Sequence, residues 1–170
     1  MERIIFTPCI SVFAALLFTV MGEKVVATNK KARFDYHISD TIEAGIVLMG
    51  TEVKSLRDGR ANLKDSYATI EAEEIFLIGV HISPYSHGST QPHDPERKRK
   101  LLLHKSEIRK LKRKVDQKGI TIIPLKIYFK NGKAKVLIGS AKGKAKYDKR
   151  REIADREAKR EIARSSKNRI

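Results

Sequence analysis

Short runs in which apolar and polar residues alternate fill most of this chain, and one longer stretch carries a helical period. Phe34–Ile38 alternates as a half-buried strand does, and Gly45–Met49 is continuously apolar, the pattern of a strand covered on both faces. Thr51 stands as the N-cap of a short helix through Leu56, with Glu52 in the first turn where the helix dipole favours a carboxylate; Asp58-Gly59 ends it. Tyr67–Glu71 and Ile75–Ile82 predict two strands joined at Ala72-Glu73-Glu74, and Gly79 inside the second marks a bulge or a close backbone approach. Asn131-Gly132 separates residues 125–130 from 133–138 and suits a two-residue type I′ hairpin turn. In the first of these runs Leu125, Ile127 and Phe129 face a core, while Lys126, Tyr128 and Lys130 take the other side.

The helical stretch is Lys100–Lys118. Ile108, Leu111 and Val115 share one face, Glu107 follows His104 at capping-box spacing, and Gly119 occupies the position of a C′ glycine. The opposite face carries Arg109, Lys110, Lys112, Arg113 and Lys114. Before it, residues 87–95 (HGSTQPHDP) read as a loop. Five or six short strands with one or two helices predict a mainly β domain over residues 34–140. The architecture expected is a small antiparallel barrel with flanking helices, of which the OB-like barrel is the nucleic-acid-binding form.

The two ends differ from this body. Residues 4–20 contain no charge and read as a signal-peptide core, a short membrane anchor, or an over-extended gene start with translation beginning at Met21. The last is preferred, because Glu2 offsets Arg3, Pro8 interrupts the run, and no small-x-small cleavage site precedes Met21. Residues 21–33 are small and polar with Lys30, Lys31 and Arg33, the composition of a flexible basic arm. Residues 141–170 hold one aromatic, Tyr147, and three isoleucines, too little apolar area to offset chain entropy; this tail is expected to be disordered when free, although helix-prone.

Charge turns the outline into a partner. The 170 residues carry a formal +16, concentrated beyond residue 96. Residues 1–96 have nine Lys/Arg against thirteen Asp/Glu, whereas residues 97–118 have eleven against two. A block this dense points to nucleic acid, with Arg109 and Lys112 as candidate contacts. The single cysteine, Cys9, excludes a disulfide framework within the chain and suits a reducing compartment.

Catalytic chemistry finds no support. His87 and His93-Asp94 lie close together in the loop but lack a third ligand, and no HExxH spacing exists. Gly139 to Lys144 misses the phosphate-loop spacing by one residue, with Ala145 where Ser or Thr is needed. The chain reads as a non-enzyme, a monomer without metal or cofactor. On these residues alone a generic OB-type RNA-binding or ribosomal protein, or an exported cationic protein directed by residues 1–20, stays open.

Several segments together resemble the small protein B family, the protein partners of transfer-messenger RNA in bacterial ribosome rescue. They are NKKARFDY (29–36), EAGIVLMGTEVKSLRDGRANLKDSY (43–67), HISPY (81–85), RKRKLLLHKSEI (97–108), GITIIPLKIYFKNGKAKVLIGSAKGK (119–144) and YDKR (147–150). The resemblance covers residues 28–164 and implies an OB-fold barrel with a tail unstructured in solution. It implies binding to the tRNA-like domain of transfer-messenger RNA, delivery with elongation factor Tu through that RNA, and entry into the A site of a stalled ribosome, without a membrane and in the cytoplasm. Asn29, Lys30, Arg33, Glu52, Lys54, Leu102 and Leu103 match positions used against the tRNA-like domain. Tyr147, Asp148, Lys149 and Arg150 match the tail motif directed at the decoding centre and mRNA channel.

Overall fold

The computed structural model describes residues 23–85, 93–117, 119–145, 147–148, 150, 157–158, 160–161 and 164. Its elements run β1 (Lys24–Thr28), α1 (Ala32–Asp35), β2 (Tyr36–Ile46), α2 (Gly50–Arg57), β3 (Ala61–Asn62), β4 (Tyr67–Glu71), β5 (Glu74–Ile78), β6 (His81–Ile82), β7 (Arg99–Leu102), α3 (Lys105–Val115), β8 (Ile120–Lys130) and β9 (Lys133–Gly143). The large sheet has the order β1-β8-β4-β5-β7-β2-β9, and β8 also pairs β9. Six strands, β8-β4-β5-β7-β2-β9, therefore close on themselves, and β1 is laid against β8 beyond the β4 pairing. Closure leaves these strands no free edge, the standard protection of a β protein against edge-to-edge association. The expected OB-like barrel is present, antiparallel throughout.

Two bulges shape it. The β8–β9 register shifts between Pro124 and Lys126, and the β2–β9 register between Ile38 and Asp40. Each extra residue inverts the period-2 alternation. Ile122 and Ile127, an odd five positions apart, thus enter the same main core with Ala44, Ile75, Leu77, Val136 and Ile138. Leu125 instead joins Ile123, Ala32 and Ala141 in a second cluster beneath α1. The expectation that Leu125, Ile127 and Phe129 share one face fails at this bulge. The hairpin expectation holds: Asn131 (φ 52) and Gly132 (φ 73) both lie in the left-handed region, as a type I′ turn demands. Gly79 (φ 71) is a close approach as expected, since an added Cβ would stand 3.4 Å from the Asp65 carbonyl oxygen.

Four boundaries move. The supposed arm is part of the body: Lys24–Thr28 pairs with β8, and Ala32 is buried. Residues 34–38 and 45–49 are not two strands; α1 takes Phe34 and Asp35, then one continuous strand runs from Tyr36 to Ile46. The long helix from residue 100 is shorter, because residues 99–102 pair as β7 with β2 and β5, and α3 starts at Lys105. The body ends beyond residue 140, with β9 reaching Gly143 and the Lys144 amide donating to the Asp35 carbonyl. Residues 1–20 lie outside the described residues, as does His87.

A buried ion network ties α2 to β7. Glu52, with no exposed surface, accepts from Arg97 Nε (2.8 Å) and Arg99 Nε (2.8 Å) at Oε1, and from Arg97 Nη2 (2.5 Å) and the Met49 amide (2.7 Å) at Oε2. Arg99, also fully buried, donates onward to the carbonyls of Val80 (2.6 Å), Arg97 (3.1 Å) and Pro95 (2.8 Å). Burial alone would raise the Glu52 carboxyl pKa; Arg97, the Met49 amide and Arg99 outweigh it and hold the group below its ordinary range.

Glu52→Ala leaves a buried guanidinium without its counter-charge and is expected to cost about 3–5 kcal/mol in denaturant unfolding. Because the folded carboxyl is held low, its contribution is present above the ordinary carboxylate pKa, near 4.5, and is lost as pH falls through the lowered folded value. Glu52→Gln should therefore flatten the acid limb of the stability curve; an unchanged limb would show that the network adds nothing to it.

Candidate nucleic-acid interface

The basic block of residues 97–118 divides by strand periodicity before it reaches the helix. Arg97, Arg99, Leu101 and Leu103 alternate inward, whereas Lys98, Lys100 and Leu102 point out. Arg97 and Arg99 thus serve the Glu52 network rather than a partner. Lys98, Lys100 and Lys114 pair with Glu71, Glu74 and Asp40. What remains for a polyanion is the outer face of α3: Lys105, Arg109, Lys110, Lys112 and Arg113 are exposed, and none has a carboxylate partner among the described residues. Ile108 (7 % exposed) and Leu111 (2 %) anchor the inner face, so the expected amphipathic placement of Arg109 and Lys112 holds.

The expected contacts of the first half fall into two kinds. Lys30, Arg33 and Lys54 are exposed, and Lys54 Nζ sits 5.4 Å from the centroid of the Tyr85 ring. Asn29 and Glu52 are committed to the fold instead. The Asn29 amide nitrogen donates to the carbonyls of Leu63 (3.1 Å) and Pro124 (3.3 Å), and its oxygen accepts from the Ala32 amide (3.0 Å). Glu52 offers no acceptor at the surface: both oxygens of its carboxylate are taken up by Arg97, Arg99 and the Met49 amide. The physical reason is a pair of arginines, one on β7 and one in the irregular segment leading into it, which no local reading of the helix reveals.

The three leucines separate. Leu101 is core, Leu103 packs partly against it, and Leu102 is 55 % exposed over Gly45, where an added Cβ would lie 3.2 Å from Leu102 Cβ. Val47 and Met49 are also exposed near the start of α2. In the tail, Tyr147, Asp148 and Arg150 are helical and exposed, Tyr147 by 74 %. Lys149 and most of residues 151–170 lie outside the described residues, and so does the expectation of tail disorder that rests on them.

Metal chemistry gains nothing from the geometry. His93 is buried, with Nδ1 3.1 Å from Thr51 Oγ1 and Nε2 3.2 Å from the Ile82 carbonyl, so both ring nitrogens are used structurally. Among the described residues no group of three His, Cys, Asp or Glu side chains is placed to hold a metal, and no helix is long and apolar enough to cross a membrane.

Comparison with known proteins places this surface in a family. The family model described as SmpB protein matches residues 26–168. An SsrA-binding protein of Halothermothrix orenii is 60 % identical over 146 residues, covering 86 % of this chain and 94 % of the relative. Those of a Sulfurihydrogenibium species and of Listeria welshimeri are each 59 % identical, covering 88 % and 86 % of this chain and 99 % and 95 % of the relatives. A solved chain from "tmRNA-SmpB: a journey to the center of the bacterial ribosome" superposes with a TM-score of 0.62 at 54 % identity, covering 72 % of this chain and 85 % of that one. With its barrel, its basic helix and a match spanning nearly the whole described body, the chain belongs to the SmpB protein family.

Proposed function

We propose that the chain binds the tRNA-like domain of transfer-messenger RNA and brings it to stalled ribosomes for trans-translation. The observation that carries this reading is the unpaired cationic face of α3 on a closed barrel, in a chain whose relatives are SsrA-binding proteins. Structured RNA is recognised by shape and by phosphate and 2′-OH contacts, for which dispersed Lys and Arg on a rigid scaffold are suited. Lys30, Arg33, Lys54, Arg109 and Lys112 supply the charge, and Leu102 supplies an apolar contact beside them. Asn29 and Glu52 act at one remove, holding the α1 and α2 surfaces in place.

The tail has the second part of the task. Tyr147, Asp148, Lys149 and Arg150 leave the barrel just past the end of β9 and enter the decoding centre and mRNA channel in place of a codon–anticodon pair. Tyr147 is the tail's one aromatic, and stacking on a base is worth about 1–3 kcal/mol. Elongation factor Tu is engaged through the RNA, and the work is cytoplasmic.

Replacing Arg109 and Lys112 together by Ala should weaken binding to the isolated tRNA-like domain and lower the slope of log affinity against log salt by about 2. Filter binding over a salt series reads both; an unaltered slope removes α3 from the interface. Replacing Asp148, Lys149 and Arg150 together should spare that binding and abolish tagging of stalled chains in a reconstituted translation system. Competition with bulk tRNA at equal salt separates this reading from a generic RNA-binding barrel, which would show no preference.

A further inference from the structure

One end of the barrel holds a cavity to which no role has been given above. It measures about 570 Å³, the size range of a small-ligand site. The starts of β2, β4 and β8 and the end of β9 meet there, directly before the tail departs. It is lined by Tyr36, Tyr67, Asp65 and Thr121, together with Asp35 and Lys31, which lie 3.9 Å apart as an ion pair. Tyr67 is 46 % exposed, unusual for a large aromatic on a well-packed barrel.

Gly143 is among its lining residues. Tyr36 stands opposite Gly143 in the β2–β9 register, and a Cβ added at Gly143 would meet nothing within 4 Å. The opposite wall is held in place by the fold. Asp65 sits in the left-handed region (φ 57) between Leu63 and Ser66, with Ser66 Oγ donating to the Leu63 carbonyl at 2.6 Å and Gly79 pressed against the Asp65 carbonyl. The Asp65 side chain itself is 74 % exposed and, among the described residues, has one ion-pair neighbour, Lys64 at 4.0 Å.

We propose that this cavity receives one unstacked guanine base of a bound RNA, stacked on the tyrosine rings with its Watson–Crick edge on Asp65. Single-stranded RNA is read in this way, by stacking of splayed bases on aromatics and hydrogen bonds to their edges. Guanine fits a carboxylate because its edge presents two adjacent N–H donors, whereas adenine presents one donor beside an acceptor. Lys31 lies where a flanking phosphate would follow. The inference rests on the RNA-binding reading above and adds a base-specific subsite to a surface otherwise argued from charge.

The test titrates the full-length protein with GMP, AMP, CMP and UMP, following backbone amides by NMR. GMP is expected to shift Asp65, Tyr67 and Thr121 saturably, with AMP at least about tenfold weaker, the loss expected for one charge-assisted hydrogen bond. Asp65→Asn keeps a residue that tolerates the left-handed backbone and should erase the guanine preference; Gly143→Leu should fill the cavity and abolish the shifts, with circular dichroism unchanged. No saturable shift with any nucleotide, or GMP binding that survives Gly143→Leu, overturns the proposal. Filter binding of the tRNA-like domain to the unmodified protein, run alongside, tells the two failures apart. Retained RNA binding with a silent cavity rejects the subsite alone, and lost RNA binding rejects the reading beneath it.

Discussion

A carboxylate with no exposed surface, held by two arginines and a backbone amide, is the constraint around which α2, β7 and the segments beside them are arranged. Glu52 caps the first turn of α2 through the Met49 amide and, through Arg97 and Arg99, fixes that helix against β7. Arg99 extends the network to the carbonyls of Val80 and Pro95, so the end of β5 and the loop before β7 are held by the same charge pair. Burying an ion pair is seldom the most stabilising choice available, since desolvation offsets most of the attraction. What it supplies here is a defined geometry, because both oxygens of Glu52 and the guanidinium of Arg99 are satisfied by partners from separate segments. Lys54 on α2 and Leu102 on β7, side chains of different elements, keep their relative positions through that network.

Charge is thereby sorted into three populations. Arg97 and Arg99 are structural; Lys98, Lys100, Lys114, Lys130 and Lys135 are engaged by acidic neighbours on adjacent elements. Glu43 shows the second kind: it accepts from the Tyr128 hydroxyl and lies within ion-pair distance of Lys130 and Lys135, which holds its carboxyl below the usual range, while burial and that carboxylate push the Tyr128 phenol up. Among the described residues, Lys30, Arg33, Lys54 and the outer-face cations of α3 have no carboxylate partner. A formal charge overstates a binding footprint wherever part of it is consumed inside the protein.

The two bulges connect the barrel to its functional ends. By inverting the alternation in β2 and β8, they let one strand face the main core for part of its length and a second cluster under α1 for the rest. That second cluster anchors α1 beside the start of β2 and the end of β9, where the tail leaves. A regular strand would have left this end without an apolar seat for the helix.

Much of this was legible in the residues alone. The Asn131-Gly132 hairpin, the apolar stripe Ile108-Leu111-Val115 and the close backbone approach at Gly79 are local signals, set by backbone sterics and short-range periodicity, and they appear where the pattern puts them. The family resemblance was likewise carried by contiguous motifs. Local pattern misassigned the partners of charged and apolar groups whose neighbours are distant in sequence. Arg99 and Glu52 are 47 residues apart, Asn29 and Pro124 are 95 apart, and β1 looked like a polar arm because its strand pairing comes from β8 on the far side of the chain. Period-2 reading also failed at Leu125, since a bulge is fixed by the register of two strands and not by either one. The sequence by itself determined which elements form and what class of partner their charge attracts. Only the tertiary structure decided which charges are free to meet that partner, because pairing and burial are properties of contacts between segments and not of segments.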